Sequence, residues 1–322
     1  MENCLVVIYP HKMAEINLGN IIKTLPHLLP FRVCHPVHTL PVDGDTRKIA
    51  DKIIEISDSH TAGRLYICPV LIDRHIIDNI TKQLRDHTGG KEISLLQDYS
   101  KEIIQHLKRN PLSPDEIEQR SFELIVSDPD GQMLGYAPAE KKAIVTRVVH
   151  ATGDFEFIKT LTFHPRAIQH ALKMIKAGRD ILTDIEMVKT GINRRLLERF
   201  GIRAICGLSL YDNLKAGAHE TRSEIAIERA IKENSNTGII AIGNAPTALL
   251  RVIDIFSENK GHDTPLIIGV PVGFVKALES KVILSMQPYP FITNLSRKGG
   301  TPVAVAIVNA LLKIAENPDS SI

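Results

Sequence analysis

His150 is the residue best placed in this sequence to move a proton. It ends a stretch carrying Ile144, Val145, Val148 and Val149 at helical spacing, with Gly153 as the C-terminal stop. At such a position the macrodipole and unpaired carbonyls favour the imidazolium form. An imidazolium so placed is a proton donor usable near neutrality. The same position also suits a surface histidine that only caps its helix. Arg222, in Thr221-Arg222-Ser223, precedes a helix and has the planar fork that grips a carboxylate through two bonds. Pairing with Glu220 or Glu224 would use it equally well. Ser121 sits mid-helix beside Arg120, where its hydroxyl either meets a ligand or faces water. Asp184 either binds a ligand or caps the helix that follows it.

A second set of residues could hold an anion. The run Ile239-Ile240-Ala241-Ile242 ends in Gly243-Asn244 and then opens a helix with Pro246 in its first turn. A strand, turn and helix of this kind leaves backbone N–H groups free at the helix start. Gly243 admits close backbone approach, and Pro246 removes a donor the helix would not use. Three more segments end strands in the same way: Thr183-Asp184, Gly269-Val270-Pro271-Val272-Gly273, and Ser296-Arg297-Lys298-Gly299-Gly300-Thr301. Ligands of open α/β sheets bind beyond the carboxyl ends of the strands. A glycine-rich rim with Lys298 beside it suits a ligand bearing several carboxylates or phosphates. Metal ligation has weaker support. His11 and His75 each follow a strand and would reach the sheet's carboxyl edge, whereas His35 and His38 have no cysteine partner. Polar loop histidines explain all four as well.

The elements that position these residues alternate. Cys4–Tyr9, Arg32–Cys34 and Arg64–Val70 read as strands, with helices over 17–29 and 46–57 between them. After Pro111 and Pro114 the pattern restarts with two helices, the first introduced by Ser113-Pro114-Asp115-Glu116. Strands over 181–183, 203–206, 239–242, 266–270 and 291–294 then alternate with helices, including one over 274–282. The prediction is α/β throughout: a smaller domain over 1–110, then a parallel-sheet, three-layer α/β/α domain over 111–322. A net charge of +2 gives no reason to expect nucleic acid or an anionic membrane. No apolar run of about 18 residues appears, and the start lacks a signal peptide's basic and apolar regions. Four cysteines without a CxxC pair fit free thiols in a reducing, cytoplasmic setting.

Residues from about 114 to 316 resemble the precorrin-8X methylmutase family of cobalamin biosynthesis. The matching strings are Gln119-Arg120-Ser121-Phe122, Arg147-Val148-Val149-His150-Ala151, Thr183-Asp184-Ile185-Glu186-Met187-Val188 and Glu220-Thr221-Arg222-Ser223. They continue through 241–249, 269–275, Glu279-Ser280-Lys281 and Arg297-Lys298-Gly299-Gly300. The resemblance implies an isomerase that moves a methyl group from carbon 11 to carbon 12 of a tetrapyrrole without an external cofactor. The histidine matching His150 would protonate the macrocycle, with Ser121 and Arg222 in the same pocket. Thr183, Gly243, Asn244, Lys298 and Gly299 would receive the substrate's carboxylate arms. The resemblance also implies a homodimer with pockets near the subunit interface.

The first segment is similar to the small sirohydrochlorin cobaltochelatases, in which histidines at the places of His11 and His75 bind the metal. It departs from them in having Pro10 and Lys12 around the first histidine and a shortened spacing before the second. A degenerate domain kept for dimerisation or substrate handover fits as well. Cobalt would then enter as part of the substrate or at this domain. A bifunctional enzyme and a non-catalytic corrinoid-binding protein are the rival readings.

Overall fold

The computed structural model describes residues 3–10, 15–33, 37–42, 45–59, 64–70, 72–85, 92–109, 111–211, 220–257 and 264–317. His11 and Cys34 lie outside these. The chain divides into two compact units, Met1–Leu112 and Ser113–Ile322. Among the described residues no helix is long and apolar enough to cross a membrane.

In the first unit β1 (Cys4–Pro10), α1 (Glu15–Leu28), β2 (His38–Val42), α2 (Thr46–Asp58), β3 (Arg64–Pro69), α3 (Arg74–Arg85), β4 (Glu92–Leu95) and α4 (Ser100–Leu107) follow one another. The sheet is parallel in the order β2-β1-β3-β4. Successive residues of β1 point to opposite faces: Cys4, Val6 and Ile8 pack with α2 and α3, and Leu5 and Val7 with α1. The second strand is not where the sequence placed it. Val33 forms only an isolated bridge to Asn3, and His38–Val42 pairs with Val6–Pro10 instead. Pro41 disguised that strand, and its edge position makes a missing N–H tolerable.

The second unit opens with α5 (Pro114–Ser127), α6 (Ala139–Thr152) and α7 (Glu156–Thr160). Next come β5 (Leu161–Phe163), α8 (Ala167–Lys176), β6 (Asp180–Thr183), α9 (Glu186–Gly191), α10 (Arg194–Phe200) and β7 (Ala204–Cys206). The chain continues through α11 (Gly207–Leu210), α12 (Arg222–Glu233), β8 (Thr237–Ile242), α13 (Pro246–Ser257) and β9 (Leu266–Gly269). It ends with α14 (Ala277–Ser285), β10 (Phe291–Asn294) and α15 (Thr301–Glu316). The six strands run in the order β5-β10-β9-β8-β6-β7, parallel except for β5. Three residues are too few for β5 to show a period, so only its pairing with β10 defines it.

Period-two alternation creates the three layers. Ile239, Ala241, Ile268 and Ile292 face a core shared with α6, α8 and α15. Ile240, Ile242, Ile267 and Phe291 face α12, α13 and α14. Helix α15 carries no charge before Lys313 and buries most of its surface, leaving one stripe through Pro302, Asn309 and Lys313 open, as suits a helix packed on both the sheet and α6. Helix α14 starts three residues later than its sequence pattern suggests. Lys276 before it holds φ = 60°, a left-handed conformation that cannot begin a right-handed helix.

Candidate active site

Capping on α5 and α6 sets the first part of the site. Ser113 Oγ accepts from Glu116 N at 3.3 Å, and Glu116 Oε2 accepts from Ser113 N at 2.7 Å, a closed capping box. Gly153, at φ = 65°, ends α6 with its N–H on Val149 O. His150 therefore lies in the last turn of α6 and is exposed. Its ring stands perpendicular to Phe122 of α5, centroids 5.4 Å apart. It opens on a groove of about 420 Å³ that Glu118, Arg147, Asn193, Asn309 and Lys313 also line.

Beside it runs a larger groove of about 710 Å³ between α5, α6 and α15, sharing Glu118, Arg147 and Lys313. Glu118 joins the three helices, accepting from Arg147 at 2.7 Å and Lys313 at 2.8 Å. Partial burial opposes ionisation there, but the two cations hold the carboxyl down at about 2. Ser121, one residue before Phe122, donates to Ile117 O at 2.7 Å, leaving its oxygen able to accept.

The rim of the sheet is more self-contained than its sequence suggests. Gly243 N donates to Asp184 Oδ1 at 3.1 Å, and Asn244 N and Ala245 N each donate to Asp184 Oδ2 at 2.8 Å. The anion that the turn invites is thus the protein's own carboxylate, which corrects the expectation that these amides wait for a ligand. Burial pushes the Asp184 carboxyl up while the three amides pull it down, with burial the larger effect. Gly243 is required for another reason: a Cβ there would come within 2.8 Å of Val188. Thr183 is fully buried, its hydroxyl directed at Ile185 O and Ile205 O, both 3.3 Å away. Its side chain serves the packing of β6 and meets no open surface.

Lys298 is likewise already engaged. Its ammonium lies 2.6 Å from Asp154 and 2.7 Å from Glu156, just past the end of α6, and these bonds raise its pKa. Lys298, expected to receive a carboxylate arm of the substrate, is thus held by two of the protein's own acids, and these bonds tie the rim to the His150 helix. Gly299, at φ = 148°, brings the chain so close to β9 that a Cβ would sit 2.3 Å from Val270 O. Beneath the turn, fully buried Lys281 donates to Lys298 O at 2.7 Å, and burial drops its pKa to about 8.

Arg222 is the first residue of α12, behind a Thr221–Glu224 capping box. Thr221 Oγ1 meets Thr247 Oγ1 at 2.8 Å, which sets the starts of α12 and α13 side by side at the rim. Helices α12 and α6 cover opposite faces of the sheet, and Arg222 does not line the His150 groove. Within one copy of the chain, then, Ser121 and His150 lie on the packed helices α5 and α6, and Arg222 stands at the start of α12, beside that of α13. Large apolar side chains stand exposed around the rim, Phe274 at 85% and Val275 at 77%, together with Met187 and Val272.

Sequence reasoning missed Glu118, Arg147 and Phe122 as neighbours of His150. A signal existed: Glu118 and Phe122 are four apart on one helix, and Arg147 precedes His150 by one turn. In the first unit His75 is an exposed residue in the first turn of α3. Among the described residues no cluster of three or more His, Cys, Asp or Glu could hold a metal ion.

The precorrin-8X methylmutase family matches residues 116–314. The cobalt-precorrin-8 methylmutase of Priestia megaterium is 41% identical over 210 residues, 64% of this chain and 90% of that protein. The Salmonella typhimurium cobalt-precorrin-8 methylmutase is 39% identical over 207 residues, 62% of this chain and 94% of its own length. A solved precorrin-8X methylmutase from Thermus thermophilus aligns with TM-score 0.54 at 33% identity, covering 63% of this chain and 99% of that one. The first unit lies outside the family match. With its α/β/α unit spanned almost end to end, the chain belongs to the precorrin-8X methylmutase family, isomerases of cobalamin biosynthesis.

Proposed function

We propose that the unit over 113–322 moves a methyl group from carbon 11 to carbon 12 of precorrin-8X or its cobalt form, giving hydrogenobyrinate or cobyrinate, with His150 as the general acid. A proton lent to the macrocycle makes the conjugated system electron-poor and lowers the barrier to a 1,5-shift. The bond from methyl to carbon 11 breaks as that to carbon 12 forms. The proton then returns, so substrate and product are isomers and no external cofactor is consumed. General acid catalysis of this kind contributes about two to four powers of ten. One observation carries the assignment: within the residues matched to the family, His150 is an exposed side chain opening on a groove.

The substrate is a flat apolar ring with carboxylate arms, and the rim offers both kinds of partner. Phe274, Val275, Val272 and Met187 supply apolar surface, while Arg222 and Arg297 supply cations. Because His150 and Arg222 belong to opposite faces of one sheet, a homodimer in which a second copy completes the pocket accounts for both. Where the cobalt form is the substrate, cobalt enters with it or at the first unit, and the working compartment is the cytoplasm.

The test is the visible spectrum of purified protein incubated with precorrin-8X and, separately, with its cobalt form. Conversion changes the conjugation and hence the colour. His150→Asn is expected to abolish conversion while product still binds, since shape and carboxylate contacts remain. Full turnover by that variant would refute the acid role. A spectrum of bound substrate that never changes would favour a corrinoid-binding protein.

A further inference from the structure

We propose that Phe122 is a positioning residue for the His150 imidazole, itself held by an Arg147–Glu118–Lys313 clamp across α5, α6 and α15. The inference rests on the reading of His150 as the acid. Among the described residues no group hydrogen-bonds the His150 ring, although an acid must present one ring nitrogen to a fixed atom of its substrate. What the ring does touch is Phe122, perpendicular at 5.4 Å. Perpendicular aromatic pairs are a preferred geometry, and this one restrains the imidazole without using either nitrogen. A hydrogen-bonding partner would occupy one of them.

Phe122 is in turn packed against a cation. The Arg147 guanidinium lies over its ring at 5.2 Å from the centroid. Arg147 is held by Glu118 at 2.7 Å, and the second carboxylate oxygen of Glu118 by Lys313 at 2.8 Å. Arg147 and His150 share α6 and are three residues apart, so the clamp acts on the turn that carries the acid. Phe122 itself is buried and anchored to the core of the sheet's face. An exposed imidazole at a helix end thereby acquires a defined direction from a buried ring. Orientation of this kind acts on the reacting geometry and hence on kcat, while the substrate's arms are bound elsewhere.

The experiment compares steady-state kinetics of the full chain with Phe122→Leu and Phe122→Tyr, with His150→Asn measured alongside. Phe122→Leu keeps bulk but removes the ring, and is expected to lower kcat at least tenfold with KM within twofold. Phe122→Tyr keeps the ring and should retain kcat within threefold. If the leucine variant does not fold, Arg147→Lys serves instead: it keeps the ion pair but takes the guanidinium off the ring, and should lower kcat with KM unchanged. Wild-type kcat in folded Phe122→Leu (or in Arg147→Lys, should it stand in), or equal loss in leucine and tyrosine variants, would overturn the proposal. An active His150→Asn would instead overthrow the acid assignment itself.

Discussion

Replacing Lys281 with methionine should leave the protein equally stable at pH 7 or stabilise it by up to about 1.5 kcal/mol. Lys281 is fully buried, and burial lowers its pKa from 10.5 to about 8. At about 1.36 kcal/mol per pKa unit, that gap caps the cost of a charged Lys281 at roughly 3 kcal/mol. Against it stands one short charge-assisted hydrogen bond, to Lys298 O at 2.7 Å, worth about 1.5–3 kcal/mol. The 3.4 Å contact with Asn294 Oδ1 adds little. Methionine has similar length and no charge. Lys298 O would keep the Asn294 Nδ2 donor at 2.8 Å, and only Asn294 Oδ1 would lose a donor, the long contact just named. The balance is therefore near zero, tilted towards methionine.

The pH dependence follows in sign. The unfolded lysine holds its proton up to about 10.5 and the folded one releases it near 8. Between those values the unfolded chain carries more protons, so stability rises with pH. Wild type should gain on the methionine variant across that window by at most about 3 kcal/mol. Urea denaturation followed by far-UV circular dichroism from pH 7 to pH 10 measures both quantities. A loss above about 2 kcal/mol in the variant at pH 7, with a wild-type gap that stays constant to pH 10, would refute the reasoning.

Asp184→Ala strips three N–H groups, those of Gly243 and Ala245 buried, of their acceptor and should cost about 3 kcal/mol or more. Asp184→Asn, keeping one acceptor oxygen, should cost about half as much, and matching urea midpoints for alanine and wild type would count against the internal-anion account. Glu118 has its carboxyl held from 4.5 to about 2, so its contribution is complete above pH 4.5 and lost as pH falls towards 2. Because the side chain is partly exposed, that contribution is about 1 kcal/mol. Glu118→Gln should differ from wild type at pH 6 and converge with it near pH 2, as thermal melts across that range would reveal.

His150 and α5 are set by their neighbours in sequence, whereas Gly243, Lys298 and β5 are set by the fold. Local rules decided the α/β class, the capping boxes at Ser113 and Thr221, and the C-terminal stop at Gly153. Each depends on residues within one turn of each other, so the pattern along the chain is enough. That is why His150 could be set at a helix end, and why the glycine-rich strand ends could be recognised as a rim. The strings that mark the family are local in the same sense.

Tertiary structure alone decided which partners the polar groups find. Asp184 is 59 residues from Gly243 in the chain, yet it takes the amides that the turn offers. Lys298 meets Asp154 and Glu156 from a distant part of the sequence, and Lys281 loses its solvent because the Ser296–Gly300 turn closes over it. Strand β5 exists only because the edge of β10 was left to pair, and the sequence's misplaced second strand is settled by the register of β1. Every buried donor, acceptor or charge must be satisfied somewhere, but nothing in a linear pattern says by whom. Propensity is a property of neighbours in sequence, whereas satisfaction and burial are properties of neighbours in space.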